Sequence, residues 1–262
     1  VSLPVAWMYL LPNSFIDFSK SILYSLGFSS NFYFWYSNAL YGAESSLFKP
    51  FLHTWSLSVE EQFYILFPII ILFVYKYFRA YLIFVLIIGC LISLGLAEWT
   101  SKNYPRLNFF ILPTRGWELL AGSILAYYEL IHGKRSENNF LIKIMPSVGL
   151  LMIISSIFFI NEEMSHPSLY TLFPIIGVSL IIWFSSREEI ITKILSTKFF
   201  VGVGLISYSL YLWHYPIFAF GKIIDLTSST LSKRDLILFT ILISILTYFF
   251  IEKPARNKKI KF

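Results

Sequence analysis

The first stretch of the sequence that could support chemistry is residues 53–64, which read His-Thr-Trp-Ser-Leu-Ser-Val-Glu-Glu-Gln-Phe-Tyr. Histidine and glutamate can exchange a proton with a reacting hydroxyl. On a helix, His53, Ser56 and Glu60 share one stripe, and Tyr64 follows one turn further. The stretch also opens the strongest hydrophobic segment of the chain, where a charge near the bilayer centre costs about 2.5–3.5 kcal/mol. We therefore predict a functional site on a buried polar stripe.

A structural explanation covers part of the same stretch. Ser58 and Glu61 fit a capping box, with carboxylates near the positive end of the helix. A cap accounts for Glu61 alone, and four polar groups on one stripe exceed what it requires. The candidate catalytic residues are His53, Ser56, Ser58, Glu60, Glu61, Gln62 and Tyr64.

A second polar pair, Arg115 and Glu118, falls within an apolar segment. At a spacing of three residues on a helix, the two side chains can simply neutralise each other. Alternatively, the guanidinium of Arg115 can bind a phosphate or a carboxylate in a bidentate manner. Both interpretations stay open at this point.

A third cluster places Ser207, Tyr211 and His214 on one face of an apolar helix, and Pro216 suggests a kink just beyond them. Aromatic belts at membrane interfaces explain the tyrosines and tryptophans of this segment. They do not explain His214, which we therefore treat as a candidate site residue.

Transmembrane helices must position these residues. Of the 262 residues, 56% are hydrophobic and 14% are charged, whereas a soluble domain carries about 25% charged residues. The apolar residues fall into runs of roughly 20, long enough to cross a bilayer. The single cysteine, Cys90, excludes a disulfide framework and a cysteine zinc site, and we expect no metal. The net charge of +6 forms no basic stripe for nucleic acid.

The hydrophobic pattern predicts an all-α, polytopic transmembrane bundle that forms one domain over residues 1–262. About eight spans are present. They are a truncated span at 1–12 and clear spans at 56–76, 79–97, 109–131, 141–161, 169–185, 199–220 and 234–252. A serine-rich and aromatic stretch at 20–36 is too polar to be assigned as a span.

Loop charges predict the orientation of these spans. Thirteen basic residues fall on the side that includes the C-terminus and five on the other, so the C-terminus is predicted to be cytoplasmic. Three basic residues on the opposite side, Lys222, Lys233 and Arg234, weaken this asymmetry. The chain begins with Val1 inside an apolar segment, and we expect that a further segment precedes it.

Five strings in this sequence resemble acyltransferase family 3, the membrane proteins that include bacterial O-antigen acetylases. They are SNFYFW at 30–35, PFLHTWSLSVEEQFY at 50–64, TRGWELLAG at 114–122, SYSLYLWH at 207–214 and IEKPAR at 251–256. The string at 50–64 is long and specific, and the resemblance extends over essentially the whole chain.

The resemblance implies a bundle of about ten spans in a bacterial inner membrane. It also implies transfer of an acetyl or another short acyl group from acyl-CoA to a hydroxyl of a surface or exported polysaccharide, such as lipopolysaccharide. Acetyl-CoA is then a co-substrate, and no bound cofactor is expected. Glu60 and His53 would activate the acceptor, and Arg115, Glu118, Tyr211 and His214 would bind the acyl donor. The family's N-terminal spans, with their arginines and histidine, have no counterpart here.

Two other functions remain possible from the sequence. A transporter or exporter of a glycan or an acylated small molecule would also place charges and broken helices at the membrane midplane. It predicts an internal repeat, and the sequence shows none. A non-catalytic subunit or sensor on the same scaffold is the third interpretation.

Overall fold

The computed structural model describes residues 2–37, 45–133, 135, 138–161, 164, 166–225 and 232–256. Helices are the regular elements throughout these ranges, which contain no strand and thus confirm the predicted all-α class. The helices are α1 (Ser2–Tyr9), α2 (Pro12–Leu26), α3 (Ser30–Ser37), α4 (Thr54–Phe78), α5 (Leu82–Asn103), α6 (Pro105–Phe110), α7 (Leu112–His132), α8 (Asn139–Phe159), α9 (Leu172–Phe184), α10 (Ile190–Leu195), α11 (Lys198–Asp225), α12 (Lys233–Thr247) and α13 (Lys253–Ala255).

One α-helix covers most of each clear span predicted from the sequence, because uninterrupted apolar runs favour helices that bond their own backbone. Within the described ranges, three helical stretches are long and apolar enough to cross a membrane: Thr54–Asn103, Asn139–Phe159 and Lys233–Ala255. Leu169–Phe184 is a shorter apolar helix. The protein therefore has membrane character, while the number of about eight spans stays a prediction.

The predicted orientation rests partly on residues that the structure does not describe. Lys134, Lys258, Lys259 and Lys261 all lie outside the described ranges. The cytoplasmic location of the C-terminus therefore stays a prediction.

Residues 2–37 differ from the helices predicted by the hydrophobic pattern. The apolar segment at 1–12 is interrupted, since α1 ends before Pro12, which occupies the first turn of α2. A proline fits this position because its missing N–H group has no partner there in any helix. The stretch at 20–36 contains parts of two helices, which separate where Phe28 adopts a left-handed φ of 52°.

The described chain forms two compact units. One comprises Val1–Ser58 and Thr197–Phe262, and the other comprises Val59–Ser196. A single functional domain over the whole chain stays a prediction. We call the first the terminal unit and the second the central unit.

The core of the terminal unit is small and aromatic. Ala6, Phe18, Phe220 and Ile223 are all buried and pack together, which joins α1 and α2 to α11. The ring of Phe18 contacts that of Phe220 edge-on, with 5.9 Å between the ring centroids. This core holds the C-terminal part of α11 beside the segment that leads into α4, where Phe51 packs against it.

In the central unit, α8 and α9 approach each other at two glycines. A Cβ atom built on Gly149 would lie 2.5 Å from the carbonyl oxygen of Gly177, and the reverse distance is 2.6 Å. Small residues permit this approach, which is how many membrane helices pack in the absence of a strong hydrophobic driving force.

The buried side chain of Asn108 ties together several elements of the central unit. Its amide oxygen accepts from Thr100 on α5 and its amide nitrogen donates to the carbonyl of Pro167, both at 2.7 Å. The hydroxyl of Thr114 on α7 donates to the Asn108 carbonyl at the same distance. Because the amide oxygen and nitrogen each have a partner, these bonds offset the cost of burying the amide, and the bond from Thr114 fixes the start of α7.

Candidate active site

α4 begins earlier than the sequence suggested. Thr54 is its first residue, so His53 immediately precedes the helix. Ser58 therefore lies inside the helix, and its hydroxyl bonds to that of Ser30 at 2.7 Å. The predicted capping box of Ser58 and Glu61 is wrong, because the backbone bonds of the preceding turn already start the helix.

The imidazole of His53 is enclosed by aromatic rings from α11. Tyr215 stacks on it at 5.4 Å between centroids, and Tyr211 and His214 contact it edge-on at 5.2 and 5.6 Å. Only 7% of His53 is exposed. Its Nδ1 is buried without a hydrogen-bond partner among the described residues. A buried polar atom without a partner is unusual in a native protein, and it marks a place where a ligand group can bind.

Tyr211 holds the backbone of this site. Its phenol donates to the carbonyl oxygen of His53 at 2.6 Å and lies 2.8 Å from the hydroxyl of Ser56. Because the single phenolic proton is used by the carbonyl, the Ser56 hydroxyl is the donor in the second bond. Tyr211 thereby joins the middle of α11 to the first turn of α4.

The structure brings together residues that the sequence assigned to different roles. His53 and Ser56 belonged to the predicted catalytic residues, whereas Tyr211 and His214 belonged to the predicted donor site. The four residues form a single cluster within the terminal unit, in which Tyr211 contacts the other three. Ser207 does not join them, since it is exposed and donates to the carbonyl of Gly204.

A chain of buried hydroxyls supports the start of α4. Ser25 and Thr54 lie 2.7 Å apart, Thr54 donates to Ser30 at 3.1 Å, and Ser30 bonds to Ser58. Ser25, Ser30 and Thr54 were not predicted as site residues. The serine content of 20–36, which makes this stretch too polar for a span, was the signal that could have indicated them.

The predicted buried stripe does not continue along α4. Glu60 is exposed and Tyr64 is 56% exposed, while Glu61 and Gln62 are half-buried. The stripe is therefore buried at His53 and half-buried at Ser56, but exposed at Glu60 and Tyr64. The proposed roles of Glu60, Glu61, Gln62 and Tyr64 stay predictions.

Arg115 and Glu118 form the ion pair that the sequence offered as one alternative. Arg115 Nη1 lies 3.6 Å from Glu118 Oε2, and both side chains are mostly buried. Arg115 also donates to the carbonyl of Phe109 at 3.0 Å and lies over its ring. The geometry therefore supports mutual neutralisation, and phosphate binding by Arg115 stays a prediction.

Glu252 lies in a π-helical turn, Tyr248–Glu252, that follows α12. Its carboxylate accepts from the hydroxyl of Ser209 on α11 at 2.9 Å and pairs with Arg256 at 2.8 Å. Ser209 is buried two residues before Tyr211. This contact secures α11 next to the aromatic cluster and gives a structural reason for a glutamate at this position.

His53, which precedes the membrane-spanning part of α4, gives the protein a pH-dependent stability. Burial lowers the pKa of His53 to about 4, the charge of His214 adds to this effect, and the Pro50 backbone opposes it. In an unfolded chain the value is about 6.5. Between these values the unfolded chain binds a proton that the folded protein does not, so stability falls as the pH falls. From pH 7.5 to pH 5 this loss is about 2 kcal/mol.

Thermal unfolding of the detergent-solubilised protein at several pH values measures this effect. Wild type is expected to lose more stability between pH 7.5 and pH 5 than His53→Gln, in which the titrating ring is absent. Above pH 7 the difference in stability between the two proteins should be constant. If the stability of both proteins depends on pH in the same way, His53 is not held neutral in the folded protein.

Comparison with known proteins identifies the family to which this sequence is similar. Residues 6–251 match the acyltransferase domain of acyltransferase family 3. The chain is 30% identical over 250 residues to the peptidoglycan O-acetyltransferase OatA of Listeria monocytogenes, covering 89% of this chain and 39% of that protein. It is 30% identical over 268 residues to the O-acetyltransferase OatA of Staphylococcus aureus, covering 95% and 43%. No solved structure matches.

The chain spans less than half the length of these curated relatives. The match nevertheless includes the His53 cluster, the Arg115–Glu118 pair and most of α11 and α12. The resemblance inferred from the five sequence strings is thereby confirmed. The chain belongs to acyltransferase family 3.

Proposed function

We propose that this chain is an integral membrane O-acetyltransferase. It transfers an acetyl or another short acyl group from acyl-CoA to a hydroxyl of a cell-surface or exported polysaccharide. The main structural support is the buried His53, whose Nδ1 has no hydrogen-bond partner in the described part of the chain and whose ring is held by Tyr211, Tyr215 and His214. Among acceptors, we favour peptidoglycan over lipopolysaccharide, because the printed name of one relative specifies peptidoglycan.

Acyl transfer to a hydroxyl requires a base for that hydroxyl and donors for the oxyanion that forms during the attack. In this proposal the imidazole cluster binds the acceptor hydroxyl, and the bonds made by Tyr211 keep His53 in position. Glu60, which is exposed on α4, binds polar groups of the acceptor. Arg115 binds the phosphates of the donor, and Glu118 holds the guanidinium of Arg115 in position.

The proposed location is a bacterial cell membrane, with the C-terminus in the cytoplasm. The three apolar helical stretches support insertion in a lipid bilayer. Acyl-CoA acts as a soluble co-substrate and not as a resident cofactor, and no nucleic acid takes part.

The proposal is tested in a bacterium that lacks its own copy of the gene and receives the natural full-length protein. We expect wild type to restore acetyl groups on a surface polysaccharide, measured by mass spectrometry of its fragments. His53→Asn should leave less than a tenth of this acetyl content, because it removes the ring that binds the hydroxyl.

His132→Asn is a matched control, because His132 is an exposed histidine at the end of α7. At equal protein level, this variant should give the same acetyl content of the polysaccharide as wild type. Wild-type acetyl content in His53→Asn would contradict the proposal. Dependence of polysaccharide export on the gene, with unchanged acetylation, would support a transporter instead.

A further inference from the structure

The two histidines of the cluster differ in what their nitrogens contact. Nδ1 of His214 lies 2.8 Å from the carbonyl oxygen of Tyr211 and 3.2 Å from that of Leu210. Carbonyl oxygens only accept hydrogen bonds, so Nδ1 of His214 must bear the proton. In the neutral ring the lone pair is then fixed on Nε2, which no described residue binds.

His53 lacks such an arrangement. Its Nδ1 is buried without a hydrogen-bond partner among the described residues, and its ring makes a backbone bond with Pro50. His53 is 7% exposed, whereas His214 is half-buried and more accessible. Of the two rings, His214 is thus the one whose Nδ1 bonds leave Nε2 open to a ligand.

The contacts of His214 also suit a ring that takes up a proton during the reaction. The titratable groups whose rings contact it among the described residues are His53, Tyr211 and Tyr215. His53 adds no charge near neutral pH because it is buried in the neutral form. An imidazolium on His214 can still donate from Nδ1 to two backbone carbonyls, which stabilises the positive charge.

We propose that Nε2 of His214 is the general base of the transfer, and that His53 is its neutral neighbour. This inference rests on the proposed O-acetyltransferase function. The acceptor O–H bond breaks as its oxygen attacks the thioester carbonyl of the acyl donor, and the proton passes to Nε2. The carbon–sulfur bond then breaks, and the imidazolium returns the proton to the leaving thiolate. An ester and a free thiol are the products, so no oxidant or further reactant is needed.

The test compares His214→Asn with wild type in membranes that contain the natural full-length protein. An asparagine amide can replace Nδ1 as a donor to the carbonyl oxygens, but it supplies no base at Nε2. We expect the kcat for transfer of labelled acetyl from acetyl-CoA to glycan to fall at least 100-fold. The KM for acetyl-CoA should change less than threefold.

His132→Asn is again the matched control, since Nδ1 of His132 lies 3.1 Å from a carbonyl in the preceding turn, that of Tyr128. It should retain the wild-type kcat. A His214→Asn enzyme with a kcat within threefold of wild type would overturn the inference, as would a variant whose loss lies in KM and not in kcat. If wild type itself acetylates no glycan, the proposed function fails. If wild type and His214→Asn are both active, only the role of His214 fails.

Discussion

Replacing Gly149 with leucine is expected to prevent the protein from accumulating in folded form. Even the Cβ atom of the new side chain would lie 2.5 Å from the carbonyl oxygen of Gly177, a backbone atom that cannot move without moving α9. α8 and α9 would have to separate and lose their close contact, on which membrane helices depend. Fluorescence-detected size-exclusion chromatography of a tagged protein measures the folded fraction.

Alanine substitutions provide a finer comparison within the central unit. Gly149→Ala is expected to destabilise the protein by about 1–3 kcal/mol, the range for overpacked sites. Gly122 on α7 has open space where a Cβ would lie. Gly122→Ala should therefore be neutral or stabilising by up to about 1 kcal/mol, since alanine is the better helix former. Equal thermal stability of the two variants would contradict the described helix contact.

Replacing Tyr211 with phenylalanine is expected to reduce acetyl transfer ten- to hundredfold. The ring and its packing remain, but the phenol that donates to His53 at 2.6 Å and accepts from Ser56 is lost. The carbonyl of His53 is then without this donor, which costs about 1–3 kcal/mol, and the imidazole is no longer held in one position. Rates of labelled acetyl transfer at equal amounts of folded protein measure the effect.

Tyr208→Phe on the same helix is the matched control, because Tyr208 is 46% exposed. It should keep the wild-type rate. A Tyr211→Phe protein with the wild-type rate would show that this phenol does not position the site. A loss of folded protein in place of a loss of rate would assign Tyr211 to stability alone.

The helices could be predicted from the sequence because long apolar runs leave few alternatives for the backbone. The pattern did not reveal that α1 stops before Pro12 or that Phe28 breaks the stretch at 20–36. Both are local backbone events of one or two residues. A hydropathy window of about 20 residues averages over them.

The site was only partly predictable. Spacing on one helix grouped His53 with Glu60 and Tyr64, yet the structure places the ring of His53 against Tyr211 and His214, more than 150 residues later in the chain. Helical periodicity describes which residues share a face, but it contains no information on which other helix covers that face. Tertiary packing decides this, and here it leaves Glu60 exposed.

Local chemistry can also be assigned wrongly when a helix boundary is uncertain. Ser58 and Glu61 match a capping box in sequence, but α4 starts at Thr54. The hydroxyl of Ser58 is used by Ser30 instead. Arg115 and Glu118 were correctly recognised as a possible ion pair, because a spacing of three residues on a helix is sufficient to bring them together.

The most direct test of the account is acetyl transfer by membranes that contain the natural full-length protein, supplied with labelled acetyl-CoA and purified peptidoglycan. Wild type is predicted to form glycan esters that release labelled acetate in mild alkali, whereas His53→Asn should form less than a tenth as much. His132→Asn should match wild type. Label on the glycan at wild-type level in the His53 variant, or no label with any protein, would contradict acyl transfer at this cluster.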